Sequence, residues 1–250
     1  MKIGILQAGL VPDGFAETHG EYDVAFERLL RRADPEIEVE GWRVVDGEIP
    51  PDPTTADGWL ISGSKHGVYE DHAWMEPLKA FVRACVEARS PLIGVCFGHQ
   101  VMAEALGGRA EKFAGGWRLG PQDYRLSVAA PGMEPAERSL RLHAVHQDQV
   151  TAPPPDATTL ATGEQCAHAA LAYGPLDNPY AISIQPHPEF TDAYARELIE
   201  IRRGAAFPVA DSDAALAALD EASAAGPDWA DADWAARWFV AFLKAAARKK

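Results

Sequence analysis

Apolar positions in the first 110 residues follow two alternating patterns. Continuous apolar runs at residues 2–6, 58–61 and 91–95 predict buried strands, since a strand covered on both faces needs apolar side chains on both. Between them, apolar residues at helical spacing predict helices, one at residues 22–33 and one through Leu78, Phe81, Val82, Cys85 and Val86. A further strand is expected at Ile37, Val39, Val44 and Val45, and a helix at residues 98–106. Strands alternating with helices favour an α/β fold with a mostly parallel central sheet.

The pattern changes after residue 109. Short strand-like runs at 125–128, 140–145 and 158–161 are separated by Pro and Gly turns, which predicts a partly antiparallel region. A last strand at 180–185 leads into a helix at 192–203, and two more helices are expected at 212–224 and 231–247. We therefore predict a main domain over residues 1–204 and a C-terminal helical extension over 205–250. The apolar stripe of the last helix, with Trp234, Trp238 and Phe242, either packs on the main domain or docks a partner.

The amino-acid composition is typical of a globular protein and limits the kinds of partner that it can bind. Of 250 residues, 47% are hydrophobic and 24% charged, enough for an ordinary buried core, and the formal net charge is −14. That charge disfavours nucleic acid and anionic membrane surfaces as partners, and leaves a small molecule or a protein. The sequence shows neither a signal-peptide core nor an apolar run of about 18 residues, so we expect a cytoplasmic protein. Three cysteines do not form a disulfide framework.

The segment around Cys96 carries the strongest chemical signal. A buried strand is followed by Gly94, Val95, Cys96, Phe97 and Gly98, and then by a helix. A Gly-x-Cys-x-Gly turn between strand and helix is typical of a nucleophile elbow, because a strained backbone at the nucleophile leaves no room for neighbouring Cβ atoms. The helix start would also favour the thiolate. Cys85 and Cys166 are interpreted as core residues.

A thiolate nucleophile needs a base, and the base needs an orienting group. His187 follows the predicted strand 180–185, with Glu189 two positions later, and prolines at 186 and 188 favour an extended backbone. Residues i and i+2 of an extended segment point to the same side. Glu189 is therefore expected to fix the tautomer of His187.

Together, the segments Gly94-Val95-Cys96-Phe97-Gly98-His99-Gln100 and Gln185-Pro186-His187-Pro188-Glu189-Phe190 resemble the class I (triad) glutamine amidotransferases over about residues 2–203. The resemblance implies a three-layer, flavodoxin-like α/β/α fold, a catalytic triad of Cys96, His187 and Glu189, and a γ-glutamyl thioester intermediate. Oxyanion donors would be the backbone N–H of Phe97 and one from Gly63 or Ser64, and substrate contacts would come from Gln100, Gln147 and Asp148. Each of these polar groups could instead serve a turn or a helix end. We expect no metal site and no cofactor.

The segment from Ser62 to Asp71 departs from the Pro-Gly-Pro-Gly type of anthranilate and aminobenzoate synthase subunits. It is more similar to the stand-alone branch related to the GMP-synthase glutaminase domain and to the plant γ-glutamyl peptidases. In those proteins a similar loop is followed by an acidic residue and a Trp, which here would be Glu70, Asp71 and Trp74. One interpretation is a glutaminase that delivers ammonia to a synthetase subunit. A second is hydrolysis of a γ-glutamyl amide bond in a peptide or conjugate, and a third is a non-catalytic binding module. The sequence leaves the acceptor, the substrate and the oligomeric state open.

Overall fold

The computed structural model describes residues 1–131, 133, 138–226 and 229–247. The described strands are β1 (Lys2–Leu6), β2 (Glu38–Trp42), β3 (Gly58–Ile61), β4 (Leu92–Val95), β5 (Arg109–Lys112), β6 (Arg118–Leu126), β7 (Arg138–His146), β8 (Asp148–Ala152), β9 (Ala157–Gly163), β10 (Cys166–Tyr173) and β11 (Ala181–Ile184). The described helices are α1 (Phe15–His19), α2 (Tyr22–Arg31), α3 (Met75–Glu87), α4 (Phe97–Ala105), α5 (Asp192–Arg202), α6 (Val209–Ala224) and α7 (Ala232–Ala247).

The main sheet has the strand order β2-β1-β3-β4-β11-β10-β9-β6-β7. Strands β2, β1, β3, β4 and β11 are mutually parallel, whereas β10, β9, β6 and β7 pair antiparallel. This arrangement confirms an α/β fold with a parallel half followed by an antiparallel one. A separate ribbon pairs β5 with β8.

The parallel half explains why the site forms where it does. Strands β3, β4 and β11 are neighbours, and each is fully buried, so their apolar runs reflect cover on both faces. The carboxyl ends of parallel strands lie at one edge of the sheet, where open α/β sheets bind ligands. Gly63, Cys96 and His187 follow these three strands and are thereby brought to one place.

Several sequence-based boundaries were wrong. Val44 and Val45 do not extend β2 but form a turn of 3₁₀ helix that is closed by Gly47 at φ 90°. The helix predicted at 98–106 begins one residue earlier, at Phe97. Strand β10 was not predicted from the pattern, although its residues from 169 to 173 are almost wholly buried. Strand β6 is much longer than the predicted run at 125–128.

The C-terminal helices pack on the rest of the chain. Trp238 and Phe239 of α7 are fully buried in the same core cluster as residues of α2 and β1. Salt bridges from Arg32 to Asp233 and from Lys244 to Asp34 flank this contact, at 2.7 and 2.8 Å. The boundary between residues 204 and 205 stays a prediction, and residues 227, 228 and 248–250 of the expected extension lie outside the described residues. No helix in the described ranges has the length and apolar character needed to cross a bilayer.

Candidate active site

Cys96 lies on a strained turn between β4 and α4. Its backbone has φ 53° and ψ −102°, a conformation that side-chain-bearing residues rarely adopt. The flanking glycines are required by contact: a Cβ at Gly94 would lie 2.6 Å from the backbone of Gly98, and one at Gly98 would lie 2.3 Å from the carbonyl oxygen of Ile61. The predicted nucleophile elbow is therefore present, with the thiol at the first turn of α4.

His187 and Glu189 form a buried pair beside Cys96. The Nδ1 atom of His187 is 2.7 Å from Oε1 of Glu189, and the side chain of Glu189 is fully buried. With Nδ1 bound to the carboxylate, Nε2 is the ring nitrogen left to interact with the Cys96 thiol. The expected pairing is therefore present, but the backbone between the two residues is not extended: His187 forms an isolated bridge with His143, and residues 188 and 189 lie in a turn.

The neighbours of His187 fix its position. Its backbone N–H donates to the carbonyl of His143 at 2.8 Å, and its ring stacks on Phe190 with centroids 4.0 Å apart and planes 8° from parallel. The ring of Phe190 in turn packs against that of Tyr194, with centroids 4.4 Å apart. The imidazole is therefore held from three sides, by a strand, by an aromatic ring and by Glu189.

Electrostatics at this position favour the protonated form of His187. Burial acts to lower the pKa of His187, but attraction to Glu189 and to Cys96 outweighs it and raises that pKa to about 10. The site therefore favours an imidazolium at His187. Cys166, by contrast, is buried in the core, and burial raises the pKa of its thiol to about 12, as expected for an unreactive residue.

The loop after β3 packs directly against this pair. A Cβ at Gly63 would lie 2.9 Å from Cε1 of His187 and 3.9 Å from Cβ of Cys96. The carbonyl of Ser62 accepts from the N–H of Gly98 at 3.2 Å, and the carbonyl of Gly63 accepts from the Ser62 hydroxyl at 2.9 Å. Because peptide units are planar and trans, these bonds also set the directions of the N–H groups of Gly63 and Ser64. The loop is preformed beside Cys96.

A cavity of about 250 Å³ opens over Cys96 and His187. Of the sequence-predicted substrate residues, Gln100, Gln147 and Asp148 all line it. Gln100 also donates to the carbonyl of Asp148 at 2.8 Å, and Gln147 donates to the carbonyl of Phe113 at 3.2 Å. The two amide side chains thus bond the backbone of neighbouring segments and also line the cavity. Ser64 is also in that wall, while Phe97 is buried behind it.

Asp148 differs from the two amides because it carries a carboxylate, and it too lines the cavity. The carboxylate is about half buried, and this burial raises its pKa despite a hydrogen bond from Tyr69. Burial and the nearby Asp148 carboxylate together raise the pKa of Tyr69 to about 12. A carboxylate held in this way suits an ammonium ligand.

Sequence reasoning missed several cavity residues. Tyr22, at the start of α2, and His146, at the end of β7, both face the cavity, as do Trp117 and Phe207 from distant segments. No local spacing signals these contacts, which depend on how the antiparallel half folds over the parallel one. His66 and His72 also had no predicted role, and the structure brings them together with Glu70.

Comparison with known proteins agrees with this geometry. The family model of class-I glutamine amidotransferases matches residues 19–200. A γ-glutamyl peptidase (number 5) of Arabidopsis thaliana is 30% identical over 64% of each chain, so the match spans just under two thirds of that relative. A glutamine-hydrolysing GMP synthase subunit of Halobacterium salinarum is 32% identical, over 69% of this chain and 86% of that one. A solved glutamine amidotransferase of Thermotoga maritima superposes with a TM-score of 0.74 at 16% identity, covering 99% of this chain and 98% of that chain.

Proposed function

This chain belongs to the class I glutamine amidotransferase family, and on that premise we propose that it hydrolyses γ-glutamyl amide bonds through a thioester on Cys96. The observation that carries the proposal is the buried chain of contacts from Cys96 through His187 to Glu189. Cys96, His187 and Glu189, which we propose as nucleophile, base and orienting carboxylate, lie at the carboxyl edge of the sheet. A non-catalytic binding module would not need this charged and buried arrangement.

The proposed reaction has two halves. The Cys96 thiolate attacks the γ-carbonyl carbon of the substrate, and the carbonyl oxygen becomes an oxyanion. The His187 imidazolium gives its proton to the departing nitrogen, the C–N bond breaks, and a γ-glutamyl thioester remains. His187, now neutral, takes a proton from water, which attacks the thioester and releases glutamate and the thiolate. Glu189 stabilises the imidazolium at each stage and does not itself transfer the proton.

Oxyanion stabilisation in this proposal comes from backbone N–H groups. Phe97 is the first residue of α4, so its N–H has no acceptor within the helix. The second donor is the N–H of Gly63 or of Ser64, whose directions are set by the hydrogen bonds of Ser62. Such fixed donors act on the charge that develops in the transition state.

The γ-glutamyl half of the substrate would be oriented by the opposite wall of the cavity. Asp148 would bind the α-ammonium group, a role supported by its position in the cavity lining beside Gln100 and Gln147. The α-carboxylate needs local donors, since a chain with a net charge of −14 offers it no general attraction.

A second candidate concerns the leaving group. The cavity is also lined by Lys65, Lys112 and Arg202, together with Trp117 and Phe207. Ammonia needs none of these residues, whereas a peptide leaving group carries a carboxylate and apolar atoms that they could contact. This lining favours a γ-glutamyl peptide, as in the relatives named γ-glutamyl peptidases. In the glutaminase alternative, ammonia would pass to a synthetase subunit, as the name of the GMP synthase relative suggests for that protein.

A substrate panel tests the proposal. Release of ammonia or amine should be measured with glutamine, with γ-glutamyl dipeptides and with the matching α-glutamyl dipeptides. We expect turnover of γ-glutamyl substrates only, its loss in Cys96→Ala, and its retention in Cys166→Ala, which removes a buried thiol from the core. Turnover that survives in Cys96→Ala would overturn the proposal. Preference for glutamine that increases with an added synthetase subunit would favour the glutaminase alternative.

A further inference from the structure

Two histidines and a glutamate converge beside the cavity on the segment between β3 and α3. The Nδ1 atom of His66 is 3.1 Å and the Nε2 atom of His72 is 2.7 Å from the same oxygen, Oε2 of Glu70. All three atoms lie within 4.8 Å of one another. The side chains come from a His-x-x-x-Glu-x-His stretch, and they meet only because the loop curls back on itself.

The chemistry of this cluster suits a metal ion. Two imidazole nitrogens and a carboxylate oxygen are a ligand set that zinc uses in proteins, with a further position left to water or substrate. Oε2 of Glu70 lies within hydrogen-bond distance of both ring nitrogens, so one carboxylate oxygen already faces both imidazoles.

The surrounding residues hold the ligand side chains in place. The ring of His72 stacks on Trp74, with planes 7° from parallel and centroids 5.5 Å apart, and Trp74 is itself buried. The ring of His66 packs edge-on against His72 at 4.2 Å and against Trp74 at 5.8 Å. The N–H of His66 donates to the hydroxyl of Ser64 at 3.1 Å. Both imidazoles are thus oriented by contacts outside the cluster.

We propose that His66, Glu70 and His72 form a binding site for a divalent transition metal, with Zn²⁺ as the ion that fits the ligand set. The ion would take the place of the hydrogens that now lie between the two ring nitrogens and Oε2 of Glu70. Each imidazole would bind through the nitrogen that now faces Glu70 and carry a proton on its other nitrogen. Such a site departs from the sequence-based expectation of no metal, and it does not depend on the proposed reaction.

The proposed metal site lies on the loop that borders the cavity containing Cys96. His66 and Glu70 line the same cavity as Cys96, and the segment that carries them begins directly after Gly63 and Ser64. A bound ion would join three points of the loop between β3 and α3, and so restrain the residues proposed as oxyanion donors. Its open position would face solvent at the rim of the cavity, since His66 and His72 are 20% and 30% exposed.

Metal titration of the full chain tests the site. The protein, freed of metal by a chelator, should bind one equivalent of Zn²⁺ by calorimetry. It should also bind Co²⁺ without the charge-transfer absorption of a thiolate ligand. The same result is expected in Cys96→Ala, which removes the competing ligand pair that Cys96 and His187 could offer in the cavity. Affinity should fall at least about tenfold in His72→Ala and in Glu70→Gln.

His168→Ala is the matched control, because His168 is bonded to Thr159 at 2.7 Å and lies outside the cluster. That variant should bind Zn²⁺ as the wild type does. If His72→Ala disturbs the loop, His72→Gln keeps a planar polar group against Trp74 while removing the ligand nitrogen. A rise in melting temperature with Zn²⁺ in the Cys96→Ala protein but not in the cluster variants would support the site. Equal affinity in the wild type and the cluster variants, binding that is lost only in Cys96→Ala, or no binding by the wild type would overturn it.

Discussion

Replacing Glu189 with glutamine removes the negative charge of the orienting group and keeps its shape. Glutamine can still accept from Nδ1 of His187 across the 2.7 Å contact, so the ring should keep its position. What changes is the buried negative charge that, with Cys96, overcomes the burial of the imidazole. The site as a whole raises the pKa of His187 from 6.5 to about 10, a difference equivalent to about 5 kcal/mol in favour of the imidazolium.

If Glu189 supplies about half of that energy, Glu189→Gln should lower kcat about 100-fold. KM should change little, because the residue does not touch the substrate. Alkylation of Cys96 by iodoacetamide at about pH 6 should slow as well, since fewer molecules hold the thiolate–imidazolium pair. Glu197→Gln is the control: Glu197 bonds His19 at 2.8 Å in a more exposed His–Glu pair that does not include the Cys96–His187–Glu189 residues. An unchanged kcat, or a change in KM alone, would refute this account of Glu189.

Three further changes have expected results. Asp148→Asn should raise KM for γ-glutamyl substrates about 10- to 100-fold with a smaller effect on kcat, as measured by steady-state kinetics, because a charge-assisted hydrogen bond is lost. Gly98→Ala should lower the free energy of unfolding by about 1–3 kcal/mol in urea titrations, since its Cβ would lie 2.3 Å from the carbonyl oxygen of Ile61. Burial lowers the pKa values of His99 and His146 to about 3, so the unfolded chain binds more protons than the folded one between that pH and about 6.5. The contribution of these two histidines to stability is therefore complete above about pH 6.5 and is lost as the pH falls, by about 3 kcal/mol per histidine at pH 4.5. Urea titrations of His99→Gln should show a shallower dependence on pH in this range.

The turn at Cys96 could be predicted from the sequence because the residues that determine it are close together in the chain. Gly94 and Gly98 have no room for a Cβ, and the strain at Cys96 is encoded within five residues. The pairing of His187 with Glu189 is equally local, since it joins residues two positions apart, although a turn and not an extended backbone brings them together. Burial of Cys166 followed from its apolar surroundings.

Features that depend on distant contacts were missed. Strand β10 is formed largely of alanines, whose weak preference for strands is overridden by pairing with β9 and β11. Tyr22 reaches the cavity from the start of a helix that the sequence predicts correctly, but its direction is set by packing against Tyr194. The cluster of His66, Glu70 and His72 requires the loop to fold over Trp74, which no periodicity indicates.

The central claim is that Cys96 carries a γ-glutamyl group during turnover. Acid quenching of the enzyme mixed with glutamine or a γ-glutamyl peptide, followed by peptide mass mapping, tests this claim directly. We expect one added γ-glutamyl group on the peptide containing Cys96, identical for both substrates and reversed by hydroxylamine, as a thioester should be. Glu189→Gln should show it forming more slowly. Turnover without any adduct under these conditions, or an adduct on a residue other than Cys96, would contradict the account.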